Sequence, residues 1–252
     1  MLHEPPRTQG DLNFSLAGIP VRIHPLFWVV GLLLGLRGTE GNPKMVLVWM
    51  LSVLFSILAH EMGHALAAKY YGFQPWITLH GFGGLASYNG EHLESRKRIA
   101  ISFAGPAAGF LVAAIIVVVL VVTGHLASLS LSFHPVTHEP YMPIQVTPSG
   151  SYHWAPLDAF IIYMLYINIF WGLINLFPVQ PLDGGQITRE FLIERDPYGG
   201  MRKSLIVSIA ASVGLVLFAL VNQDTFLAIM FGYLGYSSYA TLQSMGGHGN
   251  PW

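Results

Sequence analysis

Two histidines and a glutamate stand close together in a long apolar stretch of the chain. His60 and His64 are four positions apart, so on a helix they project from the same face, one turn apart. Two neutral imidazoles in that arrangement can share one zinc ion. Glu61 lies about 100° round the helix from His60, beside the ligands, where a general base can take a proton from water. The pattern therefore predicts a zinc site with a general base next to it.

A third protein ligand is needed, because catalytic zinc sites usually have three. The chain has no cysteine, which leaves nitrogen and oxygen donors. We favour Asp183: Pro178 and Pro181 should end the helix before it, and the two glycines after it permit a tight turn. A role for Asp183 as a helix cap or turn residue is the alternative. The rival third ligands are His80, His24 and a loop group, expected on the outer side, of His125, His134, His138 and His153.

Two asparagines further along the chain are candidates for substrate contact. Asn168 and Asn175 are seven positions apart and face the same way on a helix. Buried amides there could hydrogen-bond an extended substrate strand or stabilise an oxyanion. Packing between helices is the alternative for both residues, and it weighs more for Asn168.

The composition indicates an integral membrane protein. Of the 252 residues, 53% are hydrophobic and 10% are charged, whereas soluble domains average about 25% charged residues. The stretch Ile99–Val122 contains no ionisable residue and is long enough for a hydrocarbon core of about 30 Å. An ionisable residue at mid-depth costs at least about 2.5–3.5 kcal/mol. Three such residues at ligand spacing within one span therefore favour a functional site.

We predict an all-α multi-span membrane protein with about six transmembrane helices and a short membrane-associated β-hairpin or re-entrant segment after the second. Residues 1–18 are expected to be a cytoplasmic N-terminal segment, 19–242 the six-span core and 243–252 a flexible C-terminal tail. The hairpin is expected at about 76–88 and an external loop at about 124–155. The predicted spans are Ile19–Leu36, Met45–Tyr71, Ile99–Val122, Leu157–Phe177, Ser204–Val221 and Thr225–Leu242.

Lysines and arginines indicate the orientation. Ten of the twelve lie in the N-terminal segment, in the loop after the second span, in the loop after the fourth, or in the span ends that adjoin these segments. The positive-inside rule therefore predicts a multi-pass protein of the cell membrane with both termini in the cytoplasm. His60 then lies past the midpoint of the second span, so the active site lies toward the cytoplasmic side. The first twenty residues lack a charged start followed by an apolar run, so no cleavable signal peptide is expected.

Several motifs resemble the site-2 protease family of intramembrane zinc metalloproteases. They are His60-Glu61-Met62-Gly63-His64, the segment from Asn175 to Gly185, Phe103-Ala-Gly-Pro-Ala-Ala-Gly109, the start Gly18–Pro25, and Gly83-Gly84 in the hairpin. The resemblance implies one zinc ion per chain, bound by His60, His64 and Asp183. It also implies that Glu61 is the catalytic acid and base and that Asn175 contacts the substrate or the intermediate. The sequence shows neither a PDZ insertion nor a CBS module, so the minimal form of the family is expected.

The predicted function is that of an intramembrane zinc endopeptidase in regulated intramembrane proteolysis. It would hydrolyse peptide bonds in or near transmembrane segments with zinc-activated water. The expected partners are a transmembrane protein substrate and the lipid bilayer, with room for a regulatory membrane protein, and no nucleic acid. An extended strand near Gly81–Gly84 could pair with the unwound substrate. The alternatives are a metal-ion transporter, since intramembrane His and Asp can mark an ion path, and an inactive homologue that binds membrane segments.

Overall fold

The computed structural model describes residues 4–39, 41–81, 83–89, 93–124, 126–131, 144–148 and 155–247. The chain is mostly helical, with one four-stranded sheet (β1 to β4) and one two-stranded sheet (β5 and β6). The elements, in chain order, are β1 (Leu12–Leu16), β2 (Ile19–Ile23), α1 (Pro25–Gly38), α2 (Pro43–Tyr70), β3 (Pro75–His80), β4 (Gly83–Tyr88), α3 (Ser95–Val122), β5 (Leu126–Leu131), β6 (Ile144–Pro148), α4 (Ala155–Tyr166), a π-helical turn (Ile167–Trp171), α5 (Gly172–Asn175), α6 (Asp183–Arg195), α7 (Gly200–Val221) and α8 (Thr225–Gly247).

Four helical segments in the described part of the chain are long and apolar enough to cross a bilayer. They are Pro43–Tyr70, Ser95–Val122, Pro156–Asn175 and Gly200–Val221. They coincide with the second to fifth predicted spans, differing by a few residues at their ends. The sixth predicted span is α8, which is long enough, but its tyrosines, serines and glycines dilute the apolar residues. The structure therefore supports a mostly helical chain with four candidate spans, and six spans remain a prediction.

The first predicted span, Ile19–Leu36, is wrong as a single helix. Its first part is strand β2, and α1 starts only at Pro25. Proline disfavours helical backbone in the residue before it, and His24 is accordingly extended, with ψ 143°. The 14 residues of α1 rise about 21 Å, less than the hydrocarbon core of about 30 Å. Apolar content alone did not separate the buried strand from the helix.

The chain divides into two compact units, and the larger contains the four-stranded sheet, α1, α2, α3 from Ala104 onward and the fourth span up to Leu173. Strands β1 and β2 are antiparallel, β2 and β3 are parallel, and β3 and β4 form the hairpin expected at about 76–88. The sheet buries a layer of aliphatic side chains against Ala65 of α2 and Phe27 of α1: Ile19, Val21, Ile23, Ile77 and Leu79. This burial fixes α2 against the sheet, which sets where its polar face points.

The ends of α2 are marked by local sequence. Asn42 caps the N-terminus, since its side chain accepts a hydrogen bond from Lys44 N–H at 3.1 Å, and Pro43 occupies the first turn. At the other end Gly72 has a φ of +89°, a conformation that glycine adopts without a steric penalty. The N–H of Phe73 then bonds to Ala68 O at 3.1 Å, which closes the C-terminal turn. The sheet and these caps hold the central turns of α2 in a defined register.

The smaller unit contains the start of α3 through Phe103 and the chain from Ile174 onward, including α6, α7 and α8. Helix α8 continues to Gly247, so residues 243–247, expected in the flexible tail, are helical. Residues 248–252 lie outside the described residues. Most of the expected external loop, 124–155, also lies outside them, as do all four loop histidines; β5 and β6 pair antiparallel within that region.

Candidate metal centre

Three buried side chains bring possible metal-ligand atoms together. His60 and His64 lie on α2, and their Nε2 atoms are 3.2 Å apart. Asp183 is the first residue of α6, and one ligand atom from each of the three residues lies within 4.8 Å of the others. The exposed fractions of His60, His64 and Asp183 are only 6%, 8% and 8%. Within the described part of the chain, no other group of three histidine, aspartate or glutamate residues brings its ligand atoms this close.

The donor set fits zinc. Two imidazole nitrogens and one carboxylate oxygen are ligands that zinc accepts, and three protein ligands with one open position are typical of catalytic zinc. The 3.2 Å between the two nitrogens is close to the spacing of two ligands each about 2.0–2.1 Å from one ion. The rival ligands His24 and His80 are not part of the group. The Nδ1 of His24 instead accepts the N–H of Leu26 at 3.2 Å and caps α1.

Glycine on α3 leaves room for the two imidazoles. A Cβ at Gly105 would collide with His64 Nε2 and would lie 2.8 Å from His60 Nε2. The helices also touch at Gly63 of α2, where a Cβ would collide with Ala104 O and lie 2.8 Å from the Ala108 Cβ. The sequence interpretation missed the direct relation of Gly105 to the histidines. The signal in the sequence is the glycine-containing segment Phe103–Gly109.

The carboxylate of Glu61 lies against the backbone of strand β4. A Cβ at Gly84 would stand 2.5 Å from both Cδ and Oε1 of Glu61, so only glycine fits there without movement. Glu61 is 6% exposed. Strand β4 is the last strand in the order β1-β2-β3-β4, and within the described residues its outer edge pairs with no further strand. The general-base candidate therefore lies next to a sheet edge that an extended peptide could join.

The two asparagines occupy different surroundings. Asn168, in the π-helical turn, donates from Nδ2 to Ser56 Oγ on α2 at 2.8 Å and to Met164 O at 2.8 Å. This bond between helices agrees with the packing alternative for Asn168. Ser56 lies one turn before His60, so the bond ties the fourth span to the metal-binding face of α2. Asn175 ends α5 and is 7% exposed; a role in substrate contact remains a prediction.

The segment before Asp183 is held by its own backbone. The Leu182 N–H bonds to Val179 O at 2.8 Å, and Asp183 begins a helix of thirteen residues. The expected tight turn at the two glycines is therefore wrong, because both lie in the first turn of α6. Close approach explains them instead: a Cβ at Gly184 would collide with Leu176 O, and one at Gly185 would stand 2.5 Å from Val179 O. Leu182 occupies the N-cap position, so Asp183 is not the helix cap.

Charged residues fasten the N-terminal segment to the sheet. Arg22 on β2 donates to Asp11 at 3.1 Å and to Glu4 at 3.0 Å, and Glu4 also accepts from Thr78 Oγ1 at 2.7 Å. Burial works against ionisation of Glu4, but the Thr78 and Trp76 hydrogen bonds and the Arg22 charge leave its pKa lowered. Hydrogen bonds from Thr8, with those from Arg22, lower the pKa of Asp11. These ion pairs compensate the charge of a buried arginine on β2, next to strand β3 of the hairpin.

Comparison with known proteins decides the family. The model of peptidase family M50 matches residues 48–221, more than half of the chain, and the match covers the helices that carry both histidines and Asp183. The chain belongs to peptidase family M50. The predicted relationship to site-2 proteases is thereby confirmed.

Named relatives agree with that assignment. This M50 chain is 30% identical to Rip3 of Mycobacterium tuberculosis over 193 residues, which are 71% of this chain and 43% of Rip3. It is 28% identical to the zinc metalloprotease MJ0392 of Methanocaldococcus jannaschii over 231 residues, 88% of this chain and 58% of that protein. The M50 chain therefore spans about half the length of these curated relatives.

A solved structure shows the same fold. The structure of a site-2 protease from Methanocaldococcus jannaschii superposes with a TM-score of 0.57 and 21% sequence identity. The superposition covers 92% of this M50 chain and 95% of the other chain. At this identity the likeness concerns the fold, which is that of a site-2 protease.

Proposed function

We propose that the chain is an intramembrane zinc endopeptidase that hydrolyses peptide bonds in or near transmembrane segments of other membrane proteins. The observation that carries the proposal is the buried group of His60, His64 and Asp183 in an M50 family member. Two of these residues lie on an apolar helix long enough to cross a bilayer. Glu61 follows the first ligand directly in sequence.

The residues of the chain have distinct parts in the proposed reaction. When bound, zinc polarises the scissile carbonyl and makes water more acidic. His60, His64 and Asp183 would hold it, each through one atom. Glu61 would accept the proton from the attacking water and pass it to the leaving amine. Its carboxylate lies against the backbone of β4, and this restricted position supports the proposed role.

Substrate presentation is proposed to use the sheet. A helical substrate satisfies its backbone groups internally, so it must unwind before attack, and the released groups need new partners. The outer edge of β4 could supply them by strand addition, next to Glu61. Asn175 is proposed to contact the substrate or the intermediate from the end of α5.

The topology proposal keeps the orientation read from the basic residues. Both termini would lie in the cytoplasm, with the metal centre toward that side and α1 and α8 completing six membrane-associated helices. The proposed core begins at residue 19, and α8 extends it past residue 242 to Gly247. The proposed partners are a transmembrane substrate, the lipid bilayer and, for regulation, a further membrane protein.

Metal content and cleavage together test the function. Detergent-purified wild type, Glu61→Gln and Asp183→Ala would be compared for zinc per chain and for hydrolysis of fluorogenic peptides with one apolar span of about 20 residues. We expect about one zinc in wild type and in Glu61→Gln, zinc loss in Asp183→Ala, and cleavage by wild type alone. Cleavage by Glu61→Gln at the wild-type rate would contradict the role of Glu61. Zinc transport into vesicles that survives Glu61→Gln would favour the transporter instead.

A further inference from the structure

A series of hydrogen bonds through two buried serines leads from the segment before Asp183 into α7 and α8. The backbone N–H of Gln180 donates to Ser208 Oγ at 2.8 Å. Ser208 Oγ lies 2.8 Å from Ser238 Oγ, and Ser238 Oγ donates to Leu234 O at 3.1 Å. Ser208 is fully buried and Ser238 is 2% exposed. The segment is thus tied to two helices through side chains that water does not reach.

The direction of each bond follows from the number of hydrogens available. A serine hydroxyl has one hydrogen to donate and can also accept. Ser238 has Leu234 O as an acceptor, so both hydroxyl hydrogens are used when Ser208 donates to Ser238. Ser208 then donates to Ser238 and accepts from Gln180. The series therefore runs one way, from the Gln180 N–H to the Leu234 carbonyl, and leaves each of these groups satisfied.

The end of this series lies three residues before Asp183, in a segment with few ways to move. Leu182 N–H is bonded to Val179 O, and the Gln180 side chain donates from Nε2 to Gly185 O at 2.7 Å. Gly185 packs directly on Val179. A shift at Gln180 would therefore move the first turn of α6, where Asp183 lies. The two serines hold the segment at its Gln180 backbone, through the bond from the Gln180 N–H to Ser208 on α7.

We propose that Ser208 and Ser238 are positioning residues for the metal centre, acting through the Gln180 backbone on the carboxylate of Asp183. The proposal rests on the proposed role of Asp183 as a zinc ligand. Removing the Ser208 hydroxyl leaves the Gln180 N–H without its acceptor, a cost that the segment can avoid by moving. Partners that orient a ligand without touching the metal typically change metal affinity about 10–100-fold when lost.

The same helix offers two matched controls. Ser204 and Ser212 lie one turn on either side of Ser208 and are also buried, at 2% and 1% exposed. Ser204 Oγ donates to Met201 O at 2.7 Å, within its own helix. Ser212 Oγ has no hydrogen-bond partner among the described residues. Replacing either by alanine removes a buried hydroxyl from α7 without touching the Asp183 segment.

The test compares wild type with Ser208→Ala, Ser208→Thr, Ser238→Ala, Ser204→Ala, Ser212→Ala and Asp183→Ala in detergent. Zinc affinity is measured by competition with a chromophoric chelator. The visible absorption of the Co²⁺-loaded proteins reports ligand geometry, which a loss of fold stability alone does not change. We expect Ser208→Ala to bind zinc about 10-fold more weakly with an altered Co²⁺ spectrum, and Ser208→Thr to recover most of the affinity. Ser238→Ala should shift both readouts in the same direction, and the two controls should match wild type.

The outcomes separate this inference from the proposed function. If Asp183→Ala loses zinc while Ser208→Ala and Ser238→Ala keep wild-type affinity and spectrum, the positioning role is wrong and the ligand set stands. If both controls lose as much affinity as Ser208→Ala, the effect is general to α7 and the positioning role is again wrong. If Asp183→Ala binds zinc like wild type, the ligand set itself is overturned, and this inference with it. Should Ser208→Ala not fold, Ser238→Ala decides alone.

Discussion

Replacing Gly105 by alanine should abolish zinc binding without unfolding the protein. The added Cβ would collide with His64 Nε2 and stand 2.8 Å from His60 Nε2. Backbone movement offers little relief, because α2 and α3 already touch where Ala104 O meets Gly63. In an ordinary helix the same change is stabilising, by about 0.5–1 kcal/mol, because alanine restricts the unfolded chain. The prediction is therefore loss of metal in a protein that is otherwise intact.

The size of the effect follows from the distances. Ordinary contact between non-bonded heavy atoms begins near 3.5 Å. The added Cβ would lie 2.8 Å from His60 Nε2, so this nitrogen would have to move away by about 0.7 Å. His64 would have to move further. Zinc–ligand distances vary by only about 0.2 Å, so at least one histidine can no longer bind the ion. We expect zinc affinity to fall at least about 100-fold, which corresponds to about 2.8 kcal/mol.

Zinc competition and thermal unfolding of the metal-free protein would check this prediction. Gly214→Ala is the matched control, since Gly214 also lies within a candidate span and a Cβ there meets nothing within 4 Å. The control should bind zinc like wild type. The reasoning is refuted if Gly105→Ala keeps wild-type affinity, or if it loses zinc only because the metal-free protein has itself unfolded.

Two further predictions concern the sheet. Gly84→Ala should keep zinc but lower peptide cleavage at least about 100-fold, the scale of general acid–base catalysis, because the new Cβ displaces the Glu61 carboxylate; cleavage at the wild-type rate in a zinc-loaded variant would contradict this. The N-terminal segment should loosen in acid, because the lowered pKa values of Glu4 and Asp11 mean that their stabilisation is full above the ordinary carboxyl pKa of about 4 and is lost as the pH falls through the lowered values. Hydrogen exchange of β1, corrected for intrinsic rates, measures it. Arg22→Met should show the loosened state already at pH 7, and equal protection in both proteins would count against the ion pairs.

Helix α2 and its two histidines could be predicted because the sequence features that indicate them are local. The spacing of His60 and His64 defines one helical face, and the apolar residues around them extend over a membrane-crossing length. Asp183 was reached by a different kind of reasoning, from prolines that end a helix. Its neighbourhood was then misread, because glycine allows both a turn and a close approach inside a helix. Only the packed structure shows that Gly184 and Gly185 meet the backbone of the preceding segment.

Features that depend on distant partners were not predictable from one sequence. Strand β2 joins β3 in parallel, with Val21 opposite Ile77, and nothing near Val21 indicates a partner more than fifty residues away. The apolar run from Ile19 was therefore assigned to a membrane span. The π-helical turn at Ile167–Trp171 is likewise not indicated by any simple pattern in the sequence. The contact of Gly105 with the histidines likewise exists only once α3 has packed on α2.

The parallel pairing of β2 and β3 has a consequence for where this protein can be shortened. The family match begins at residue 48, and a chain cut there would keep His60, His64 and Asp183. It would lose β1 and β2, leaving β3 and β4 as a hairpin that still packs on α2 but lacks the two strands that precede α1. The edge of β3 that now pairs with β2 would be exposed, and an exposed apolar strand edge promotes aggregation. A shortened chain that keeps all four strands beside Glu61 and Gly84 therefore begins before the metal-binding motif, at the strands that precede α1.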